Sequence, residues 1–446
     1  MCASSWRASA RRYSGPRPRS TPRSYATKST SGAKSSRRRA SSASDRPTSR
    51  GPVKLPVVSQ PDAGRSVDRR SILISAVTLL FAPLAVASRS RARSVGKPTA
   101  TALAQIFERA AALDPLKTVI VAHNGATLAE RGYRGTSLSA PTNIKSVSKA
   151  VISALVGIAI AKGLLEGTEQ KIAPLLRNEL PAKPDPRLAR ITIGHLLSMQ
   201  AGLQRTSGVN YGRWVSSGNW VRTALAWPFV DDPGGQMLYS TGSTHLLSAI
   251  LTRVSGRSTL QLARDWLGPL EDFSIAAWER DPQGIYIGGN QMAMSTRSLL
   301  AFGELYRNGG RTAAGKPLIS PEWIELSWTI RTHSRFTGDG YGYGWFHRRV
   351  GEHAVHYAYG YGGQMLYIVP SLALSVVMTS DDKHPAGRSG YRNQLHRLLE
   401  EIVGVVDAYS AYSSGRVGQA VMRTTCSSAA PRAWSAAPIY RAFPIP

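Results

Sequence analysis

A serine and a lysine three residues apart, Ser146 and Lys149, open the apolar segment PTNIKSVSKAVISALVGIAIAKG (141–163). A serine hydroxyl is a poor nucleophile until a base takes its proton. Lysine serves as that base only when neutral, which requires desolvation or nearby positive charge to lower its pKa. Residues three apart share one face of a helix, so the two side chains can meet if a helix begins at or before Ser146. The helix N-terminus would add positive potential and free N–H groups for an oxyanion. Spacing alone decides nothing. Ser-x-x-Lys occurs four times, at Ser31/Lys34, Ser94/Lys97, Ser146/Lys149 and Ser380/Lys383; a solvated helix-end charge is the plain alternative for Lys149, and the other three lie in the leader, just past the predicted cut and in an acidic loop. Ser148, two residues beyond Ser146, faces elsewhere.

Other routes to hydrolytic chemistry are weaker. No Gly-x-Ser-x-Gly nucleophile elbow is present, so a serine–histidine triad lacks its usual turn. His123, His195 and His245 sit at a turn or in helical patterns and read as structural. Cys2 and Cys426 lie at opposite ends of the chain. They offer neither a zinc spacing nor a disulfide framework, so the folded part must depend on burial.

The formal charge of +29 suggests nucleic acid until it is located. Residues 1–100 hold 21 Lys/Arg against 3 Asp/Glu, leaving +11 for the other 346 residues. The basicity belongs to the leader, and no nucleic-acid partner is expected. Residues 1–65 are rich in Ser, Arg, Pro and Ala and predict disorder. Residues 66–87 place Arg69-Arg70 before an apolar run from Ile72 to Ala87 that ends in Ala85-Val86-Ala87. The run is short for a membrane span and resembles a twin-arginine export signal. The expected location is periplasmic or secreted, with a membrane anchor or an organellar transit peptide as alternatives. The 65 residues ahead of the signal suggest a start assigned too far upstream. Residues 406–446 read as a low-complexity tail.

The organised part is predicted at about 103–405. A helix over 102–113 puts Leu103, Ile106, Phe107 and Ala110 on one face. A hairpin follows around Asn124-Gly125, a pair suited to a type I′ turn. The segment after Ser146 is apolar on most sides, as a central buried helix would be. Short helices and Pro/Gly-rich loops fill a helical insertion at about 150–285. Three strands are then expected in YGYGWFHRR, HAVHYAYGYGGQMLYIVP and LALSVVMTS, with a closing helix after them. This order predicts an α+β fold, with an antiparallel sheet built from both chain ends, flanked by helices, and an all-helical subdomain.

Three motifs in order carry a resemblance. Ser146-x-x-Lys149, Tyr239-Ser240-Thr241 in DDPGGQMLYSTGSTHLLSAIL and Tyr361-Gly362-Gly363 in YGYGGQMLYIVP resemble the serine β-lactamase and penicillin-binding-protein superfamily. HLLSMQAGL (195–203) adds to it, with Ala201 where serine is common. The likeness is greatest to the class C-like branch, which holds esterases, D-amino-peptidases and 6-aminohexanoate-dimer hydrolases. It implies a β-lactamase/transpeptidase-like fold, no cofactor or metal, and a small-molecule ester or amide as substrate. It also implies Ser146 as acylated nucleophile, Lys149 and Tyr239 as its proton-transfer system, and the N–H groups of Ser146 and Gln364 as oxyanion hole. Tyr361, Gly362, Gly363, Thr241 and Trp345 would line the substrate, with Trp214 and Trp220 in segments that flank the cleft. Two departures stand out: Thr241 replaces an asparagine, and Tyr361 replaces the lysine that holds a β-lactam carboxylate. They favour an ester or linear amide over a β-lactam or cell-wall peptide, with β-lactamase or D-amino-peptidase activity as the alternative. A non-catalytic penicillin-receptor-like protein is the alternative from another class.

Overall fold

The computed structural model describes residues 97–384 and 389–413. The leader, the signal-like segment and most of the predicted tail lie outside them. The chain starts with α1 (Lys97–Ala110), β1 (Leu116–His123), β2 (Ala126–Gly132) and β3 (Thr142–Asn143). A 3-10 turn, Lys145–Val147, leads directly into α2 (Ser148–Ala161). The helical part continues with α3 (Ile172–Leu175), α4 (Ile193–Leu197), α5 (Tyr211–Val215) and α6 (Trp220–Leu225). It closes with α7 (Thr241–Ser255) and α8 (Thr259–Leu267). Next come β4 (Ala277–Trp278), β5 (Met292–Met294), α9 (Thr296–Arg307) and α10 (Pro321–Trp328). The remaining strands are β6 (Thr332–His333), β7 (Gly340–Tyr341), β8 (Phe346–Val350), β9 (His353–Gly360), β10 (Gln364–Val369) and β11 (Leu374–Ser380). Helix α11 (Tyr391–Ser413) ends the described chain.

Eight strands form one sheet in the order β2-β1-β11-β10-β9-β8-β7-β6. The first hairpin therefore docks on the last strand, with Ile120 opposite Val377 in antiparallel register. Both faces of the central strands are covered, and the period-2 alternation shows how. Ile120, Leu366, Ile368 and Val377 join the core around α2. Val119, Val121, Met365, Tyr367, Val376 and Met378 point the other way, into the core shared with α1 and α11. This is a sheet between helical layers, as its sequence pattern predicts.

Helix α2 is the centre of the first core. Every residue from Ser148 to Ala159 is buried, and each fully buried Val, Leu or Ile is worth about 1.5–3 kcal/mol. Burial on all sides explains why the helix shows no polar face.

Three boundaries differ from expectation. The run HAVHYAYGYGGQMLYIVP is a hairpin, not one strand: Tyr361–Gly363 turn it, with Gly362 and Gly363 at φ +86° and +96°. The run YGYGWFHRR likewise divides into β7 and β8. Helix α11 continues past 405 because its apolar spacing does, with Ile402 and Val406 fully buried. A small sheet of order β3-β5-β4 bridges the residues just before Ser146 to the segment after α8.

Candidate active site

The 3-10 turn before α2 sets the geometry of Ser146 and Lys149. Lys145 takes a positive φ of 50°, and its N–H is held by Asn143 Oδ1 at 3.0 Å. Ser146 is half-buried, on the accessible side of the turn. Lys149, one turn further on, is 1% exposed. Its Nζ lies 3.0 Å from Ser146 Oγ, donates to Gly289 O at 2.7 Å and reaches Thr241 Oγ1 at 3.4 Å. Burial, with no carboxylate to offset it, pulls its pKa from 10.5 down to about 7. A lysine in this state is a base at neutral pH.

Tyr239 comes from the extended residues before α7. Its hydroxyl hydrogen-bonds Ser146, which lowers its pKa slightly, but burial dominates and pushes it well above the usual tyrosine value. The phenol is therefore protonated at neutral pH. Its ring stacks on Phe346 at 5.9 Å, and Lys149 Nζ lies 5.0 Å from its centroid. Ser146, Lys149 and Tyr239 meet in one place, although 90 residues of helical chain separate the last two.

The other Ser-x-x-Lys matches do not make such a pair among the described residues. Ser380 is buried, with its hydroxyl spent on Gly363 O and Tyr391. Ser148 donates to Lys145 O at 2.7 Å. Two of the histidines singled out from the sequence are likewise occupied. His195 closes the capping box of α4, and His245 pairs with Asp281.

Several expected substrate contacts are corrected. Trp345 is fully buried, its ring 4.7 Å from Tyr306 and stacked on Phe302, so it is core. Trp214 is also fully buried, packed on Trp220 and His245. Thr241 is 4% exposed and turned inward, to Lys149 and Ser207. A Cβ on Gly362 or Gly363 would strike Asp381 O or the Tyr391 ring, so the turn and its packing require these glycines. Tyr361 stands 49% exposed at the apex of that turn. Gln364 is fully buried in the ladder opposite Gly360, its side chain tied to the Ser380 backbone. The hairpin residue that meets the turn carrying Ser146 is Gly360, where a Cβ would sit 2.3 Å from Ile144 O and 3.2 Å from Lys145 Cβ.

Gly289 escaped sequence reasoning altogether. A buried pair places it: His245 Nε2 and Asp281 Oδ2 lie 3.0 Å apart, and His245 Nδ1 accepts from Gly288 N–H at 3.4 Å. Asp281 Oδ1 also accepts the N–H groups of Gln283 and Ile285. Asp281→Ala would leave His245 and two backbone donors unpaired. A loss of about 3 kcal/mol is expected, read as a lower urea midpoint at unchanged m-value.

The sheet, the buried helix and a serine–lysine–tyrosine cluster at its mouth define the architecture of the penicillin-recognising serine hydrolases. The beta-lactamase family profile matches residues 109–401, more than half of the chain, and the chain belongs to that family. A protein assigned as a 6-aminohexanoate-dimer hydrolase from Bacillus anthracis has this fold, with TM-score 0.55 and 19% identity, covering 69% of this chain and 82% of that one. EstCE1, a hydrolase with promiscuous acyltransferase activity, gives TM-score 0.56 at 19% identity, covering 69% of this chain and 98% of that one. A class C β-lactamase from Rhodobacter sphaeroides gives 0.52 at 15% identity, with coverages of 70% and 99%. The fimbrial assembly protein FimD of Dichelobacter nodosus, serogroup H1, is 35% identical over 144 residues, 31% of this chain and 36% of that protein. The chain thus spans about a third of the length of the curated relatives it matches.

Proposed function

We propose that this protein is a serine hydrolase that cleaves a small ester or linear amide through a covalent acyl-enzyme on Ser146. The observation that carries this is the buried Lys149 amine, 3.0 Å from Ser146 Oγ and held near a pKa of 7. As Oγ bonds to the acyl carbon, its proton passes to neutral Lys149. Collapse of the tetrahedral adduct breaks the bond to the leaving alkoxide or amine. Tyr239, kept protonated, donates to that group and recovers its proton from Lys149. Water then attacks the acyl carbon, gives its proton to the same base, and releases the carboxylic acid with Ser146 restored.

The β9–β10 arm beside Ser146 lacks a free ammonium for a β-lactam carboxylate. Lys145, the lysine that flanks Ser146, is ion-paired with Asp382 at 3.0 Å. An ester or linear amide fits better, and EstCE1 and the 6-aminohexanoate-dimer hydrolase are relatives in fold with hydrolase names. The accompanying proposal for location is export, on the strength of residues 66–87.

The test combines a fluorophosphonate probe with p-nitrophenyl acetate. The probe is expected on the peptide that contains Ser146. The kcat/KM should rise with pH through about 7, because the free enzyme is active when Lys149 has lost its proton. A folded protein that neither reacts with the probe nor turns over the ester would sink the proposal.

A further inference from the structure

We propose that Ser207 is a positioning residue, acting through Thr241 to keep the lone pair of Lys149 aimed at Ser146. The inference rests on the function proposed above and adds a residue to its machinery. A neutral lysine has two N–H donors and one lone pair. Gly289 O at 2.7 Å and Thr241 Oγ1 at 3.4 Å take the two donors. The lone pair is then left for the Ser146 hydroxyl at 3.0 Å. This count works only while Thr241 accepts. A threonine hydroxyl free to rotate can turn its own hydrogen onto Nζ and occupy the lone pair.

Ser207 removes that freedom. Its Oγ accepts the Thr241 N–H at 2.9 Å and lies 3.0 Å from Thr241 Oγ1. The arrangement that satisfies every group has Ser207 accept from both the N–H and the O–H of Thr241. The threonine hydrogen is drawn away from Lys149, and the Ser207 hydrogen faces the solvent side, where this residue is partly exposed.

The same loop supplies the end of α7. Ser240, at the N-cap, makes no capping bond of its own. The first N–H groups of the helix are instead capped in trans, Thr241 by Ser207 and Gly242 by Thr206 Oγ1 at 2.7 Å. Thr206 also binds Ser240 Oγ through its N–H and its hydroxyl, each at 3.1 Å. Free helix N–H groups need such partners, and here the partners fix Tyr239 and Thr241 together. Among the described residues, Tyr239 is the titratable side chain packed on Lys149. From α7, the 288–289 segment and its own helix, Lys149 meets the uncharged Thr241, Gly289 and Ser146.

The test uses the full chain with p-nitrophenyl acetate across pH, with fluorophosphonate labelling of Ser146 as a check on each variant. Ser207→Ala is expected to lower kcat about tenfold with KM little changed. A Thr241 hydrogen placed on Nζ stabilises the neutral amine, so the acid limb of kcat/KM should move to lower pH. Ser207→Thr, which keeps the hydroxyl, should restore both rate and limb. Thermal melts establish that the variants are folded. A folded, labelled Ser207→Ala with an unmoved limb would overturn the inference, as would a rate loss that threonine does not rescue. If the wild-type chain is neither labelled nor active, the proposed function fails, and this role fails with it.

Discussion

Lys149→Met is expected to lose about 10²–10⁴ of the acylation rate and yet to unfold less readily than the wild type at pH 7. The two effects have one cause. Burial holds the lysine pKa at about 7 against 10.5 in water. Between those values the unfolded chain binds more protons than the folded one, so stability rises with pH across that window. The penalty is fully present below about pH 7 and vanishes above about pH 10.5. At pH 7 it is on the order of 4 kcal/mol. Methionine has similar length and no charge to desolvate, so it escapes this cost. It leaves Gly289 O without its donor, at about 1–3 kcal/mol, and the variant should gain about 1–3 kcal/mol net. Urea unfolding at pH 7 and pH 10 checks it: the advantage should shrink as pH rises. A variant less stable than wild type at pH 7, with the lost rate, would show that Lys149 is charged and paired in the resting protein.

The proposed trade of stability for a neutral base bears on which parts of the site could be read from sequence. Ser146 and Lys149 sit on one stretch of chain, and helical spacing is enough to bring them together. The apolar character of α2 also signals that Lys149 has no solvent to reach. The two-faced sheet was legible for a similar reason, since alternation along β1, β10 and β11 assigns each residue to a core.

Tyr239 required the motif order, because nothing local ties it to Ser146. Gly289, Gly360 and Ser207 had no such signal. Their placement follows from a buried His245–Asp281 pair, a hairpin turn and a cap made in trans, all of which exist only after distant segments pack. The aromatics misled for a different reason. Trp345 lies in a glycine-rich strand segment, where a cleft-lining ring and a core ring have the same pattern. Only the positions of Phe302 and Tyr306 on α9 separate the two. Gly362 and Gly363 misled likewise, since a glycine needed for a turn and one needed for a substrate look alike in sequence.

Gly289→Ala is the sharpest test of how closely Lys149 is held. Gly289 has φ +81°, and a Cβ there would lie 2.6 Å from Lys149 Cγ, 3.0 Å from its Nζ and 2.4 Å from Thr244 Oγ1. The lysine cannot yield toward the core, because α2 is buried on every side. It must move along its own axis or break the bond from Nζ to Gly289 O. A displacement near 1 Å at a reacting group costs about 10² in rate, so kcat should fall by about that factor while KM changes less. Left-handed backbone costs about 1–2 kcal/mol for a residue with a Cβ, and overpacking adds about 1–3 kcal/mol. Gly315→Ala separates the two contributions. It has φ +82° with open space around the added carbon, so it should bear only the backbone cost and keep full activity. Equal rates in the two alanine variants would mean that Lys149 tolerates displacement and that the tight packing at Gly289 serves the fold alone.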